Sequence, residues 1–134
     1  MSGLFWGSNL LWVAFGGALG ASARHLLSGL TLRQFGPGFP MGTLSANIIG
    51  SALMGLLVGW LAHKGAESGQ TLRLFLGVGV LGGFTTFSAF SLESFLMLEK
   101  KQYSALLGYV SASFILSLAA LALGLWLSRF MVSS

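Results

Sequence analysis

Polar side chains are scarce in this sequence, and those set inside its oily stretches are of the kinds that handle ions. Asn47 carries two N–H donors of the sort an anion needs, and Ser51 follows one turn later on the same helical face. Tyr109, Ser113 and Ser117 recur at four-residue spacing, a single hydroxyl-bearing stripe. Between them runs Gly82-Gly83-Phe84-Thr85-Thr86-Phe87-Ser88-Ala89-Phe90-Ser91-Leu92-Glu93, which mixes glycines, hydroxyls, phenylalanines and a carboxylate. Paired glycines and paired threonines disfavour a continuous helix, through backbone entropy and competing side-chain bonds. In hydrocarbon such irregular backbone survives only where it is buried in protein or lines a wet cavity. The expectation is a helix broken mid-membrane, whose freed N–H and C=O groups coordinate an ion of either sign. Phe87 and Phe90 lie three apart and share a helical face. Two phenylalanines at that spacing suit a core; turned edge-on, their partly positive rims also suit the wall of an anion path.

Arg24 is the one full positive charge well inside an apolar stretch, where an arginine costs at least ~2.5 kcal/mol. It is either a snorkelling interface residue or a charge that draws anions into a vestibule. Glu93 lies six residues beyond Phe87, about 9 Å along a resumed helix, and so nearer a mouth than the centre. A proton site, a cation site and a carboxylate paired with Arg24 or a loop lysine all remain open for it. Gly77-Val78-Gly79-Val80-Leu81-Gly82 matches a dinucleotide fingerprint in letters alone, since that site requires a preceding strand and a soluble βαβ unit. His25 and His63 have no partner at metal-ligand spacing, and no arrangement of Ser, His and acid suggests an enzyme.

The elements that must hold these residues follow from composition. The 134 residues are 54% hydrophobic and 7% charged, with no cysteine, and the mean hydropathy is +0.84. Water-soluble domains carry about a quarter charged residues, so this is an all-α integral membrane protein of one domain, 1–134. The net charge of +4 comes from scattered Lys and Arg, as expected at a membrane interface rather than for nucleic acid. Spans are expected at about 9–30, 42–62, 72–98 and 104–128, each near the ~20 residues needed to cross a bilayer. A turn cluster, Gly36-Pro37-Gly38-Phe39-Pro40, separates the first two, and short connections make consecutive helices immediate neighbours. Gly16 and Gly20, Gly17 and Ala21, and Ser51, Gly55 and Gly59 repeat at the four-residue spacing that lets helix backbones approach.

Arg24, Arg33, Lys100 and Lys101 fall on one side of a four-span chain, and Lys64, Arg73 and Arg129 on the other. Four against three gives no orientational bias. Such a chain inserts both ways, and an antiparallel, dual-topology homodimer is expected. Residue reasoning alone ends at an ion-handling antiparallel bundle. It leaves open a proton-coupled exporter of cations using Glu93, and a non-conducting assembly subunit.

Gly16-Gly17-Ala18-Leu19-Gly20-Ala21 followed by Arg24, Gly42-Thr43-Leu44 with Asn47 and Gly50, and above all Gly82-Gly83-Phe84-Thr85-Thr86-Phe87-Ser88 resemble the Fluc (CrcB) family of small fluoride channels. The resemblance covers all four spans. It implies passive, fluoride-selective export across the bacterial inner or plasma membrane, through two pores of an antiparallel dimer. By matching positions, Phe87 and Phe90 flank the fluoride path, with Asn47, Ser88, Tyr109 and Ser113 as polar pore residues. Arg24, Thr43 and Glu93 fall to the vestibule. The backbone carbonyls of Gly82 and Thr85 are implied to hold a structural sodium ion at the dimer centre. Ala89 stands where many relatives have threonine, removing one hydroxyl from that turn, and His25 stands where an aromatic is common.

Overall fold

The computed structural model describes residues 2–63 and 66–133; Lys64, one of the charges weighed above, lies outside them. The order is α1 (Ser2–Phe35), α2 (Met41–Leu61), α3 (Ala66–Leu72), a π-helical run (Arg73–Leu81), α4 (Gly82–Phe84), α5 (Phe87–Glu99) and α6 (Tyr103–Ser133), with no strand among the described residues. Four stretches are long and apolar enough to cross a membrane: Gly7–Phe35, Met41–Leu61, Gly69–Glu99 and Tyr103–Met131. Each contains or closely tracks an expected span. The outer helices run further than expected because hydropathy marks only the part in hydrocarbon, whereas helical hydrogen bonding continues beyond it. Leu11, Leu107 and Phe114 point outward with about two-thirds or more of their surface exposed, an arrangement suited to lipid or to another apolar chain.

Local stereochemistry sets the ends. Gly36 takes the left-handed conformation (φ 77°) and donates to the Leu32 carbonyl at 2.9 Å, which closes α1. Between α5 and α6 the same device is built on a lysine. Lys101 has φ 59°, its amide donates to the Leu98 carbonyl at 3.1 Å, and the Gln102 amide donates to the Met97 carbonyl at 2.9 Å. These are the paired closing bonds of a Schellman motif.

Consecutive spans touch, as expected of immediate neighbours, but the tightest pairs are not consecutive. α1 lies along the π-helical run and α4, and α2 lies along α6. Small residues decide this. A Cβ at Gly20 would fall on the Val80 carbonyl, and one at Gly83 would stand 2.6 Å from the Gly17 carbonyl. On the other seam, a Cβ at Gly55 would meet the Leu121 carbonyl and one at Gly124 the Ala52 carbonyl. Backbones in such contact recover by close packing what lipid does not supply as a hydrophobic drive. The π-helical run has no counterpart in the sequence expectations.

α4 ends at Thr85, where the chain becomes extended (φ −85°, ψ 158°), and Thr86 does likewise (φ −153°, ψ 119°) before α5 begins. Thr86 then serves as N-cap, its hydroxyl accepting the Ala89 amide at 3.1 Å. Thr85 folds back onto α4, donating to the Leu81 carbonyl from both amide and hydroxyl at 3.0 Å. α2 comes close enough here that a Cβ at Gly50 would collide with the Thr85 methyl.

Candidate functional site

Two cavities flank the α2, α5 and α6 contact. The larger, about 550 Å³, is walled by Asn47, Thr86, Phe87, Phe90, Ser113 and Ser117 together with apolar side chains of α6. The smaller, about 380 Å³, has Thr43, Glu93, Lys100 and Gln102 among its walls and opens beside the Gly36–Pro40 turn. They share no lining residue. Two helices line both cavities from positions about one turn apart, Thr43 and Asn47 on α2 and Glu93 and Phe90 on α5, while α6 lines the larger with Ser113 and reaches Glu93 through Tyr109.

Tyr109 is the hub between them. It is fully buried, its ring 5.3 Å from that of Phe90 and 5.6 Å edge-on to Phe39. Its hydroxyl donates to Glu93 Oε2 at 3.4 Å, while the Thr43 hydroxyl donates to Glu93 Oε1 at 2.5 Å. The sequence left open a pairing of Glu93 with Arg24 or a lysine; the carboxylate instead holds two hydroxyls. Arg24 is elsewhere, its Nε donating to the Gly83 carbonyl at 3.2 Å, and it lines neither cavity. Of the three residues expected together at a vestibule, Thr43 and Glu93 meet and Arg24 stands apart.

On the larger cavity, Asn47 is bound to a single peptide unit. The Thr86 amide donates to Asn47 Oδ1 at 2.8 Å, and Asn47 Nδ2 donates to the Thr86 carbonyl at 3.2 Å. One Nδ2 hydrogen is left over. The Ser113 and Ser117 hydroxyls are buried without a partner among the described residues, which a folded protein tolerates at a cost of about 1–3 kcal/mol each. Phe87 and Phe90 are 5.6 Å apart with rings tilted by 49°, and Phe87 is 78% exposed on the outer face of this chain. Ser88 is also exposed, 3.3 Å from the Thr86 hydroxyl, and is not part of the cavity wall.

The carbonyls of Gly82 and Thr85 suit a sodium ion in kind, being hard, neutral oxygens. The Thr86 amide, which would close the next helical turn onto the Gly82 carbonyl, is given to Asn47 instead. Gly82 is exposed on the outside of the chain.

Sequence reasoning missed two members of the site. Phe39 sits in the turn cluster, where an aromatic gives no signal of contact with Tyr109. Thr86 stood inside the motif, but its peptide was not identified as the partner of Asn47.

Residues 11–125 match the family model described as CrcB-like protein, Camphor Resistance (CrcB). The chain is 52% identical over 122 residues to a Caulobacter vibrioides protein named fluoride-specific ion channel FluC, covering 91% of this chain and 96% of that one. A Phenylobacterium zucineum protein of the same name is 56% identical over 120 residues, covering 90% and 94%. One from Sphingopyxis alaskensis is 52% identical over 122 residues, covering 91% and 96%. With four helices able to cross the membrane and a match along most of its length, the chain is a multi-pass membrane protein and belongs to the CrcB-like family.

Proposed function

We propose that this protein is a fluoride-selective channel that passively exports the ion and so limits its toxicity in the cytoplasm. The observation that carries the reading is the cavity in which two buried serine hydroxyls lack partners among the described residues beside Asn47, Phe87 and Phe90, in a chain whose relatives are named fluoride-specific channels. Fluoride is small and strongly hydrated, so a passage must replace its water with donors yet hold it weakly enough for release. Ser113 and Ser117 supply hydroxyl hydrogens, and Asn47 supplies its spare N–H. Phe87 and Phe90 offer weakly positive edges over the next turn. Larger, less strongly hydrated chloride gains too little from donors spaced for a smaller ion.

The functional unit in this reading is an antiparallel homodimer, with the third span interrupted mid-membrane at Thr85 and Thr86 and each of two pores lined by both copies. Its support is the balance of loop charge and the outward exposure of Phe87, Ser88 and Gly82. Gly82 and Thr85 carbonyls from the two copies would hold a central sodium ion, which supplies fixed positive charge and ties the copies together. Arg24 keeps cationic character near the same backbone. The membrane is the bacterial inner or plasma membrane. Purified protein in liposomes, read with a fluoride electrode, tests this: fluoride leaves down its gradient without a proton gradient. Vesicles that retain fluoride until a proton gradient is imposed would overturn it. Labelling of the termini would find both on both faces, and a single orientation would remove the antiparallel dimer.

A further inference from the structure

We infer that Asn47 governs conduction chiefly through the backbone, as a positioning residue that keeps the Thr86 amide from rejoining α4 to α5. The inference rests on the fluoride-channel reading and concerns how its narrowest backbone is held open. The orientation of the Asn47 amide is fixed by its partner: an N–H must face Oδ1, so Nδ2 faces the Thr86 carbonyl. A side chain bound at both ends of its amide is stiffly held, and it has one hydrogen left for any ion.

The alternative partner for the Thr86 amide is the Gly82 carbonyl, four residues back, whose acceptance would carry the helical bonding one residue further, past the Thr85 amide already bonded to Leu81. Asn47 competes with that bond from a neighbouring helix. The stakes are geometric. Turning two extended residues into helix shortens the link by about 4 Å and rotates all of α5 by about 80° per residue converted. Phe87 and Phe90 would leave the cavity wall, and Glu93 would lose Thr43 and Tyr109. The hydroxyl cap on Ala89 depends on the same Thr86 conformation, so α5 would begin elsewhere. The missing side chain at Gly50 leaves the room that the Thr85 methyl now fills.

The discriminating experiment changes the backbone and leaves Asn47 intact. In semisynthetic protein, Thr86 is replaced by its α-hydroxy acid counterpart, so that an ester oxygen stands where the N–H was. An ester at Leu19, on the outer face of α1, controls for the chemistry. Fluoride and chloride efflux from liposomes is measured for wild type, the ester, Asn47→Ala and the two combined, each eluting as the same species in detergent. We expect the ester and Asn47→Ala each to lower fluoride flux at least tenfold and to lower the fluoride-to-chloride ratio. The combination is expected to be no worse than either alone, as for two changes that break one bond. The Leu19 ester conducts as wild type does. Wild-type flux from the Thr86 ester beside an inactive Asn47→Ala would overturn the inference in favour of direct anion contact. Losses that multiply in the combined protein would also overturn it, pointing to the Thr85 carbonyl that the ester weakens. Wild-type vesicles that release no fluoride would instead overturn the channel reading itself.

Discussion

The third span presents two different faces to the rest of the chain. Towards α1 its closest approaches are backbone against backbone: Gly16, Gly20 and Gly83 remove side chains where the helices touch, with the Arg24 bond and the packing of Trp12 and Phe15 on Phe75 added at the flanks. Towards α2 and α6 it is held by side chains: Asn47 on the Thr86 peptide, and Thr43 and Tyr109 on Glu93, around cavities with unmet hydroxyls. A seam stripped of side chains at its closest points has one geometry there and tolerates no additions at them. A face of polar side chains leaves room and hydrogen-bonding capacity for a visitor. The contrast teaches where stability and function separate in a chain of this size, and substitutions on each face should fail in different ways.

The largest effect is expected on the first face. Gly20→Leu puts a side chain onto the Val80 carbonyl and should destabilise by about 3 kcal/mol or more, since neither backbone can yield without parting the helices. Loss of monodisperse protein on gel filtration checks it; near-normal yield would mean that the seam is looser than its contacts indicate. On the second face, Phe87→Ala should leave yield unchanged, because the ring is mostly exposed in the single chain, while fluoride flux falls at least tenfold. Equal flux would make Phe87 a packing residue. Glu93→Gln replaces a carboxylate that accepts two hydroxyls and should cost about 1.5–3 kcal/mol, read as a lower thermal midpoint along with reduced flux.

Ser113→Ala separates the faces most cleanly, because stability and conduction should move in opposite directions. Removing a buried, unpartnered hydroxyl should leave the thermal midpoint unchanged or raise it, while flux falls several-fold. Lower stability would show that the hydroxyl already has a partner. The smallest effect lies outside both faces: Lys101→Gly relieves a left-handed non-glycine residue and should stabilise by about 0.5–1 kcal/mol with flux unaltered.

Much of the fold could be read from the sequence because the bilayer imposes one rule on every residue. Four apolar runs of sufficient length and a proline- and glycine-bearing turn identified four spans to within a few residues. The repeats at Gly16 and Gly20, and at Gly55 and Gly59, marked faces that the structure packs against other helices. Their partners were not legible, since four-residue spacing records the closeness of an approach and not the helix that makes it. The π-helical run at Arg73–Leu81 left no trace, because bonding from i to i+5 needs no special residue type. The site was legible in its members more than in its connections. Asn47, Glu93, Tyr109 and Ser113 stood out as polar groups in oil, but Asn47 and Thr86 are 39 residues apart, Thr43 and Glu93 50, and Arg24 and Gly83 59. Local pattern carries no information over such separations. The separation of Arg24 from Thr43 and Glu93 is a result of that kind, set by which face of α1 meets α4.

The measurement that bears most directly on the central claim is the paired release of fluoride and chloride from the same proteoliposomes, each read with its own electrode. Rapid fluoride release with chloride retained is expected, because the donors facing the cavity replace the water of the smaller ion alone. Chloride leaving as fast as fluoride would contradict it.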